Sequence, residues 1–250
     1  MNIFGVDIGG SGVKGAPVET RSGDLIGDRV RIKTPQPSTP AAVAEAVWNL
    51  ADEFGWSGPA GVAIPAVVRH GVVTTASNID ESWIGTDAAA LFGERFDGVT
   101  VLNDADAAGL AEVRLGAGRD VRGLVVLLTF GTGIGSAVIN EGRLVPNTEL
   151  GHLEFHGAAA EDYAASRLVE TKKTEGISTD EWIDRVNEYL AYVENLLWPD
   201  LFIIGGGISK RFEVYADLLV ARTDIVPAVL RNNAGIVGAA LAAAEEETHP

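Results

Sequence analysis

"FGVDIGGSGVKG", Phe4 to Gly15, decides the reading of this chain. Residues 2–8 run apolar, as a strand requires, and meet Gly9-Gly10-Ser11-Gly12; Val13–Val18 then returns as a second strand. A loop that lets several backbone N–H groups converge on an anion must lack Cβ atoms where the anion approaches. One such turn could equally be a tight hairpin. The pattern recurs, however. Leu124–Thr129 leads into Gly131-Thr132-Gly133-Ile134-Gly135, followed by the strand Ser136–Ile139 and a hairpin tip at Glu141-Gly142-Arg143. Leu201–Ile204 runs into Gly205-Gly206-Gly207. Three glycine turns, each ending an apolar strand, favour anion binding, and the repeat suggests two related lobes. None carries the lysine–serine/threonine pair of a P-loop. Gly131–Gly135 precedes a strand, which argues against a dinucleotide-binding turn.

Composition narrows the class. A chain of 250 residues, 46% hydrophobic and 22% charged, suits one globular domain or two lobes. It has no cysteine, which excludes disulfides, thiolate zinc sites and cysteine nucleophiles and fits a reducing cytoplasm. A net charge of −16 opposes general nucleic-acid binding but leaves room for a small or linear polyanion in a local basic groove. The apolar runs are too short to cross a bilayer, and Met1-Asn2-Ile3-Phe4 enters the first strand directly, so no signal peptide is expected. Arg167, Lys172 and Lys173 cluster, as do Lys210 and Arg211; each group is either a solvated face or a contact for such an anion.

Between the turns the elements alternate. Asp28–Ile32 reads as a strand after the turn Arg21–Asp24, and Thr39 with Pro40 starts a helix Ala41–Phe54 whose Val43, Val47, Leu50 and Phe54 share a face. Gly61–Ala66 and Val99–Leu102 read as buried strands. Helices are expected at Ala159–Thr171, at Thr179–Leu197 and from Asn232–Gly235 through Ala244, with Glu245–Pro250 a frayed tail.

Three groups could carry chemistry. Asp7, closing the first strand, could hold magnesium near a phosphate or cap the turn, and Lys14 could contact phosphate or simply point outward. In Asn103-Asp104-Ala105-Asp106, a carboxylate at a strand end could accept a proton from a substrate hydroxyl, or the residues could cap a helix. Glu149-Leu150-Gly151-His152-Leu153-Glu154-Phe155-His156 gathers two histidines and two carboxylates, a mixture suited to a hydroxyl-rich ligand better than to a metal. His156 reads there as a buried, hydrogen-bonded residue.

Together these segments resemble the superfamily of sugar kinases, actin and heat-shock chaperones. Asp7–Gly15 and Gly131–Gly135 are similar to its two phosphate motifs, Gly205–Gly207 to its adenosine-type motif. Asn103-Asp104 and Glu149–His152 resemble the sugar-binding pieces of the ROK branch, which holds repressors and sugar kinases. The stretches "DIGGSGVKGAPV", "PNTELGHLEFHGAAAEDYAAS", "DEWIDRVNEYLAYVENLLWPDLFIIGGGISK" and "LRNNAGIVGAALAAA" resemble the branch's actinobacterial polyphosphate glucokinases over essentially the whole chain.

The resemblance implies an α/β fold of two actin-like (ribonuclease H-like) lobes, each a mixed sheet flanked by helices, with an active-site cleft between them. Residues 1–103 would form one lobe and 104–250 the other, with the final helix free to pack back on the first. It implies phosphoryl transfer from inorganic polyphosphate, in some members from ATP, to the 6-hydroxyl of glucose. Asp104 would be the general base, with Asn103, Glu149, His152 and Glu161 on the sugar. Gly9, Gly10, Ser11, Gly12, Lys14, Gly131, Thr132, Gly133, Gly205, Gly206 and Gly207 would hold phosphates, with magnesium at Asp7 through water. Lys172, Lys173, Lys210 and Arg211 are the candidate polyphosphate track. ROK kinases usually carry a cysteine-rich zinc site between this histidine and this glutamate. Its absence here implies no zinc, and leaves Leu153–Ala160 to be anchored by Phe155 and His156.

A cytoplasmic homodimer that binds neither nucleic acid nor membrane is expected. The alternatives are an ATP-dependent hexokinase for glucose, mannose or an N-acetylhexosamine, and a non-catalytic sugar-sensing regulator. The regulator would carry a helix-turn-helix region before the first glycine turn, where only six residues precede Asp7.

Overall fold

A computed structural model describes residues 1–169 and 175–248. The chain divides into two compact units, Met1–Ala111 with Asn232–Pro250, and Glu112–Arg231. The expected division lay at 103/104; in the structure the residues just after it, through Ala111, and the final helix group with the first unit.

The first unit is built on a mixed sheet. Strand β1 (Asn2–Gly9) pairs antiparallel with β2 (Gly12–Glu19) in a register that sets Asp7 opposite Lys14 and Gly9 opposite Gly12. The short strands β3 (Asp24–Leu25) and β4 (Val30–Ile32) both pair with β2. Helix α1 (Pro40–Asp52) follows, its start capped by Thr39. It leads to β5 (Ala60–Ile64), parallel to β1. A small hairpin, β6 (Val68–Arg69) with β7 (Val72–Val73), and helix α2 (Ala88–Gly93) precede β8 (Val99–Asn103), parallel to β5. Val43, Val47 and Leu50 of α1 are buried with Phe4, Val6 and Val62 in one core cluster, as the helical spacing predicts.

The second unit repeats this plan. Helix α3 (Asp104–Leu115) carries the chain out of the first unit. Strand β9 (Leu124–Phe130) pairs antiparallel with β10 (Ile134–Asn140), and β10 with β11 (Arg143–Val145). The strands β12 (Glu154–Phe155) and β13 (Ala158–Ala159) form a separate hairpin before α4 (Ala160–Ala164). Helix α5 (Thr179–Leu197) precedes β14 (Leu201–Gly206), parallel to β9. After α6 (Phe212–Tyr215), β15 (Asp224–Pro227) lies parallel to β14. The orders β3-β2-β1-β5-β8 and β11-β10-β9-β14-β15 are the same path: an antiparallel meander continued by two parallel strands. Trp182, Ile183, Val186, Tyr189, Leu190 and Val193 recur at helical spacing on α5 and fill the core of this unit. Ser178 Oγ accepts from Glu181 N at 3.1 Å and caps the helix, an interaction worth about 1 kcal/mol.

The last helix, α7 (Ala234–Thr248), returns to the first sheet. Its small residues let the backbones approach so closely that a Cβ on Gly61 would run into Ala239 O. Two expectations are corrected here. The helix continues through Thr248 where a frayed tail is expected from Glu245, and Thr100 Oγ1 donates to Glu246 Oε2 at 2.7 Å. The helix expected over Ala159–Thr171 stops at Ala164, because Ser166 Oγ and Arg167 N both donate to Gly131 O and draw the chain out of the α-helical path. Lys172 and Lys173 lie outside the described residues.

Candidate active site

In the first unit the parallel strands β1, β5 and β8 end at one edge, the usual position for ligands in an open α/β sheet. The register sets Asp7 beside Ala63 and Ile64 beside Asn103. Asp7 and Asn103 are therefore two strand spacings apart, roughly 10 Å. Asn103 is buried and structural at both ends: its Oδ1 accepts from Ala105 N at 2.8 Å and Asp106 N at 3.1 Å, while Nδ2 donates to Ala66 O at 3.2 Å. It thus caps α3 and sets the direction in which Asp104 leaves the sheet. Asp104 is half-buried and accepts from Ala105 N at 2.8 Å. Capping and a catalytic position are both compatible with this corner, divided between the two residues.

The turn Gly10-Ser11 joins β1 to β2. Thr34 Oγ1 donates to Gly9 O at 2.5 Å, and Arg31 Nη2 donates to Ser11 O at 2.6 Å, so the segment 31–34 grips the turn on both sides. The glycine at position 12 makes room for this: a Cβ there would collide with the Arg31 guanidinium. Lys14 Nζ lies 2.9 Å from Asp7 Oδ2, with both side chains largely buried. The first residues of α7 complete the corner, since a Cβ on Gly235 would lie 3.0 Å from Asp7 Cγ.

In the second unit Glu149, His152 and Glu161 converge on the start of β10. Ser136 Oγ donates to Thr148 O and accepts from Leu150 N at 2.9 Å, which fixes the 3-10 turn Leu150–His152 against that strand. Within it Glu149 Oε2 and His152 Nδ1 are 3.8 Å apart. Glu161, in the first turn of α4, accepts from Ile134 N at 3.2 Å through Oε2. That carboxylate occupies the space a side chain on Gly133 would need. Burial, reinforced by the nearby Glu161 charge, pushes the Tyr189 phenol far above its ordinary value. Glu149, His152 and Glu161 offer two carboxylates and an imidazole, groups that accept and donate to several hydroxyls at once.

The glycine turns of this unit also share an edge. Gly131-Thr132-Gly133 closes β9 onto β10, and Gly206 stands beside Phe130 in the β14–β9 register. Arg167, which the sequence leaves open between a solvated face and an anion contact, donates to Thr132 O and pairs with Asp162 at 2.5 Å. Arg211 is exposed at the start of α6, and Lys210 belongs by its backbone to the 3-10 turn Gly207–Arg211. His156 is corrected from buried to exposed. It occupies a left-handed position (φ 53°) before Gly157 (φ 79°), the conformation a two-residue hairpin turn demands. Its Nε2 lies 2.9 Å from Glu188 Oε2. Phe155 packs with Tyr163, Tyr189 and Tyr192 at ring-centroid distances of 5.4, 6.2 and 5.2 Å. The hairpin β12–β13 is thus held by rings and by the His156–Glu188 hydrogen bond.

Arg31 and Thr34 were missed by the sequence reading. The available signal was Arg29-Val30-Arg31-Ile32-Lys33, a basic alternation on a short strand in a strongly acidic chain. Among the described residues no three histidine, aspartate or glutamate side chains group as a metal site, and no helix is long and apolar enough to cross a membrane.

The fold and these two groups of residues define a sugar-kinase-like α/β protein, and the sequence profile of the ROK family matches residues 3–161; the chain belongs to that family. It is 55% identical to a polyphosphate glucokinase of Mycobacterium tuberculosis over 98% of this chain and 92% of that one. The inorganic polyphosphate/ATP-glucomannokinase of Arthrobacter sp. strain KM superposes with a TM-score of 0.90 at 50% identity, covering 98% of this chain and 99% of that one. A ROK family glucokinase from Streptomyces griseus, crystallised with glucose and AMPPNP, shares the fold at a TM-score of 0.80 and 23% identity over 98% of this chain and 100% of that one.

Proposed function

We propose that the protein is a cytoplasmic, homodimeric kinase that transfers the terminal phosphoryl group of inorganic polyphosphate, and of ATP, to the 6-hydroxyl of glucose. The observation that carries this reading is one sheet edge bearing a glycine turn, Asp7 and the Asn103–Asp104 corner together, in a chain closely similar to polyphosphate glucokinases. In this reading the Asp104 carboxylate accepts the proton of the 6-hydroxyl while the oxygen attacks the terminal phosphorus. The bond from that phosphorus to its bridging oxygen breaks, and the shortened phosphate chain leaves. Glu149, His152 and Glu161 take the remaining hydroxyls. The glycine turns Gly9–Gly12, Gly131–Gly133 and Gly205–Gly207 are the candidate donor contacts of their respective units.

Asp7 offers one carboxylate at the phosphate turn, a donor set that fits a magnesium ion held mostly by water and phosphate oxygens. When bound, magnesium would neutralise developing charge on the transferred group. Purified protein given glucose and magnesium with long-chain polyphosphate or ATP in turn tests the reading through glucose 6-phosphate formation. Absence of product with both donors overturns it.

A further inference from the structure

A linear phosphate chain needs cations beyond the point where its last unit is transferred, and the first unit supplies them on and around β4, a strand whose cations the sequence pattern assigns to no ligand. Asp7, Lys14 and Arg31 stand directly opposite one another across β1, β2 and β4, so their side chains form one row on one face of the sheet. Lys14 and Arg31 are like charges at a directly paired position, an arrangement that costs stability in a sheet. Lys14 is relieved by Asp7, at 2.9 Å. Among the described residues Arg31 hydrogen-bonds to no carboxylate; it lies along the glycine turn, donating to Ser11 O at 2.6 Å and reaching Ser11 Oγ at 3.4 Å.

Two residues to one side, Arg29 Nη1 donates to Asn232 O at 2.9 Å and to Asn233 Oδ1 at 3.1 Å, just before α7. Two residues to the other side is Lys33, exposed, immediately before the Thr34 that holds Gly9 O. The segment 29–34 therefore runs from the threshold of α7 past the glycine turn, with a cation at every second residue. No acidic residue occurs between Asp7 and Glu19 or between Asp28 and Glu45, in a chain where acids outnumber bases 35 to 19. Guanidinium groups present several donors each, so Arg29 and Arg31 can keep their carbonyl contacts and still bind phosphate oxygens.

We infer that Arg29, Arg31 and Lys33 form the track that holds the polyphosphate chain beyond the phosphates at the Gly9–Gly12 turn. The inference rests on the donor reading proposed above. It assigns the polyanion to the first unit and to residues other than Lys172, Lys173, Lys210 and Arg211.

The test uses Arg31→Gln/Lys33→Gln and, as a variant at an exposed side chain, Lys33→Glu. Affinity for long-chain polyphosphate and for tripolyphosphate is measured by titration calorimetry, and Michaelis constants for both are measured with glucose over a range of salt; thermal unfolding checks that the fold is intact. The double variant is expected to weaken long-chain binding about five- to thirtyfold, with a smaller loss for tripolyphosphate, which is too short to follow the track. The salt dependence for the long chain should become shallower by about one logarithmic unit per cation removed. Lys33→Glu should weaken long-chain binding in the same direction. If the parent turns over long polyphosphate while the folded variants keep its affinity and salt slope, the track is wrong and the donor reading stands. If the parent binds the long chain through these residues but does not transfer from it, the track stands and the donor reading fails. A parent that neither binds nor uses it overturns both.

Discussion

Lys14 Nζ and Asp7 Oδ2 are 2.9 Å apart across a directly paired position of β1 and β2, so the carboxylate at the phosphate turn already has a cation of its own. A divalent ion approaching Asp7 must share it with that ammonium. Replacing Lys14 by Met should therefore lower the magnesium concentration for half-maximal activity by about three- to tenfold, the scale of one partly buried charge pair. A magnesium titration of activity reads this directly. An unchanged midpoint would mean that Lys14 and the metal do not compete for Asp7.

Asp104→Asn keeps the side-chain oxygen that accepts from Ala105 N. Folding and glucose affinity should survive, while turnover falls by about 10²–10⁴-fold, as expected for loss of a general base. Calorimetric glucose binding beside initial rates separates the two effects. Near-normal turnover would remove Asp104 from the chemistry.

Gly133→Ala places a methyl group where Glu161 Oε2 now lies. The obstructing atom is the mobile end of a side chain, so the carboxylate can swing away at little cost to the fold. It would then leave Ile134 N. The expected result is a melting temperature within a few degrees of the parent with a Michaelis constant for glucose raised about tenfold or more, the scale of a lost charge-assisted hydrogen bond. A variant with unaltered glucose kinetics would show that Glu161 does not contact the sugar.

Acid stability should depend on Glu194. Its side chain is buried, which pushes the carboxyl up, but hydrogen bonds from Thr223 N at 2.7 Å and Arg222 Nε at 2.9 Å outweigh burial and hold it below the ordinary value of 4.5. A carboxyl depressed in the folded state contributes stability above its unfolded pKa and loses it as pH falls through the folded value. Unfolding free energy should therefore drop as pH is lowered below about 4.5. Glu194→Gln should lower stability at neutral pH by about 1.5–3 kcal/mol and flatten that acid limb. Denaturant titrations from pH 3 to 7 check it; a parallel pH curve in the variant would assign the acid sensitivity to other groups.

How far the sequence could be read follows from where each interaction closes. The strands around Gly9–Gly12 and Gly131–Gly133 were legible because period-two apolar runs and glycine punctuation are local signals, and the Val43–Val47–Leu50 face of α1 was legible for the same reason. The residues of the sugar-side group came from resemblance; the residue types alone favoured hydroxyl ligands over a metal at Glu149–His156 but did not say which side chains would hold them. The failures all hinge on distant partners. The helix expected through Thr171 gives way because Gly131 O, some thirty-five residues back, takes two hydrogen bonds from Ser166 and Arg167. His156 lies outside the core because the hairpin needs a left-handed residue there and Glu188 supplies an exposed partner. Arg31 was invisible as a turn residue until β4 was paired with β2, since nothing in its own neighbourhood points to Ser11.

The return of α7 to the first sheet has a consequence for the order in which the protein can be made. The strands that α7 covers are synthesised first, and all of Glu112–Arg231 is translated before Ala234 appears. At about 5–20 residues per second that interval lasts roughly 6–24 s. Throughout it Gly5 and Gly61, the two positions stripped of side chains so that α7 can approach, have no helix against them. The second unit, contiguous in sequence, can close during synthesis, whereas the first must wait for the last helix. Vectorial folding of this chain therefore runs out of order: the unit begun first is finished last.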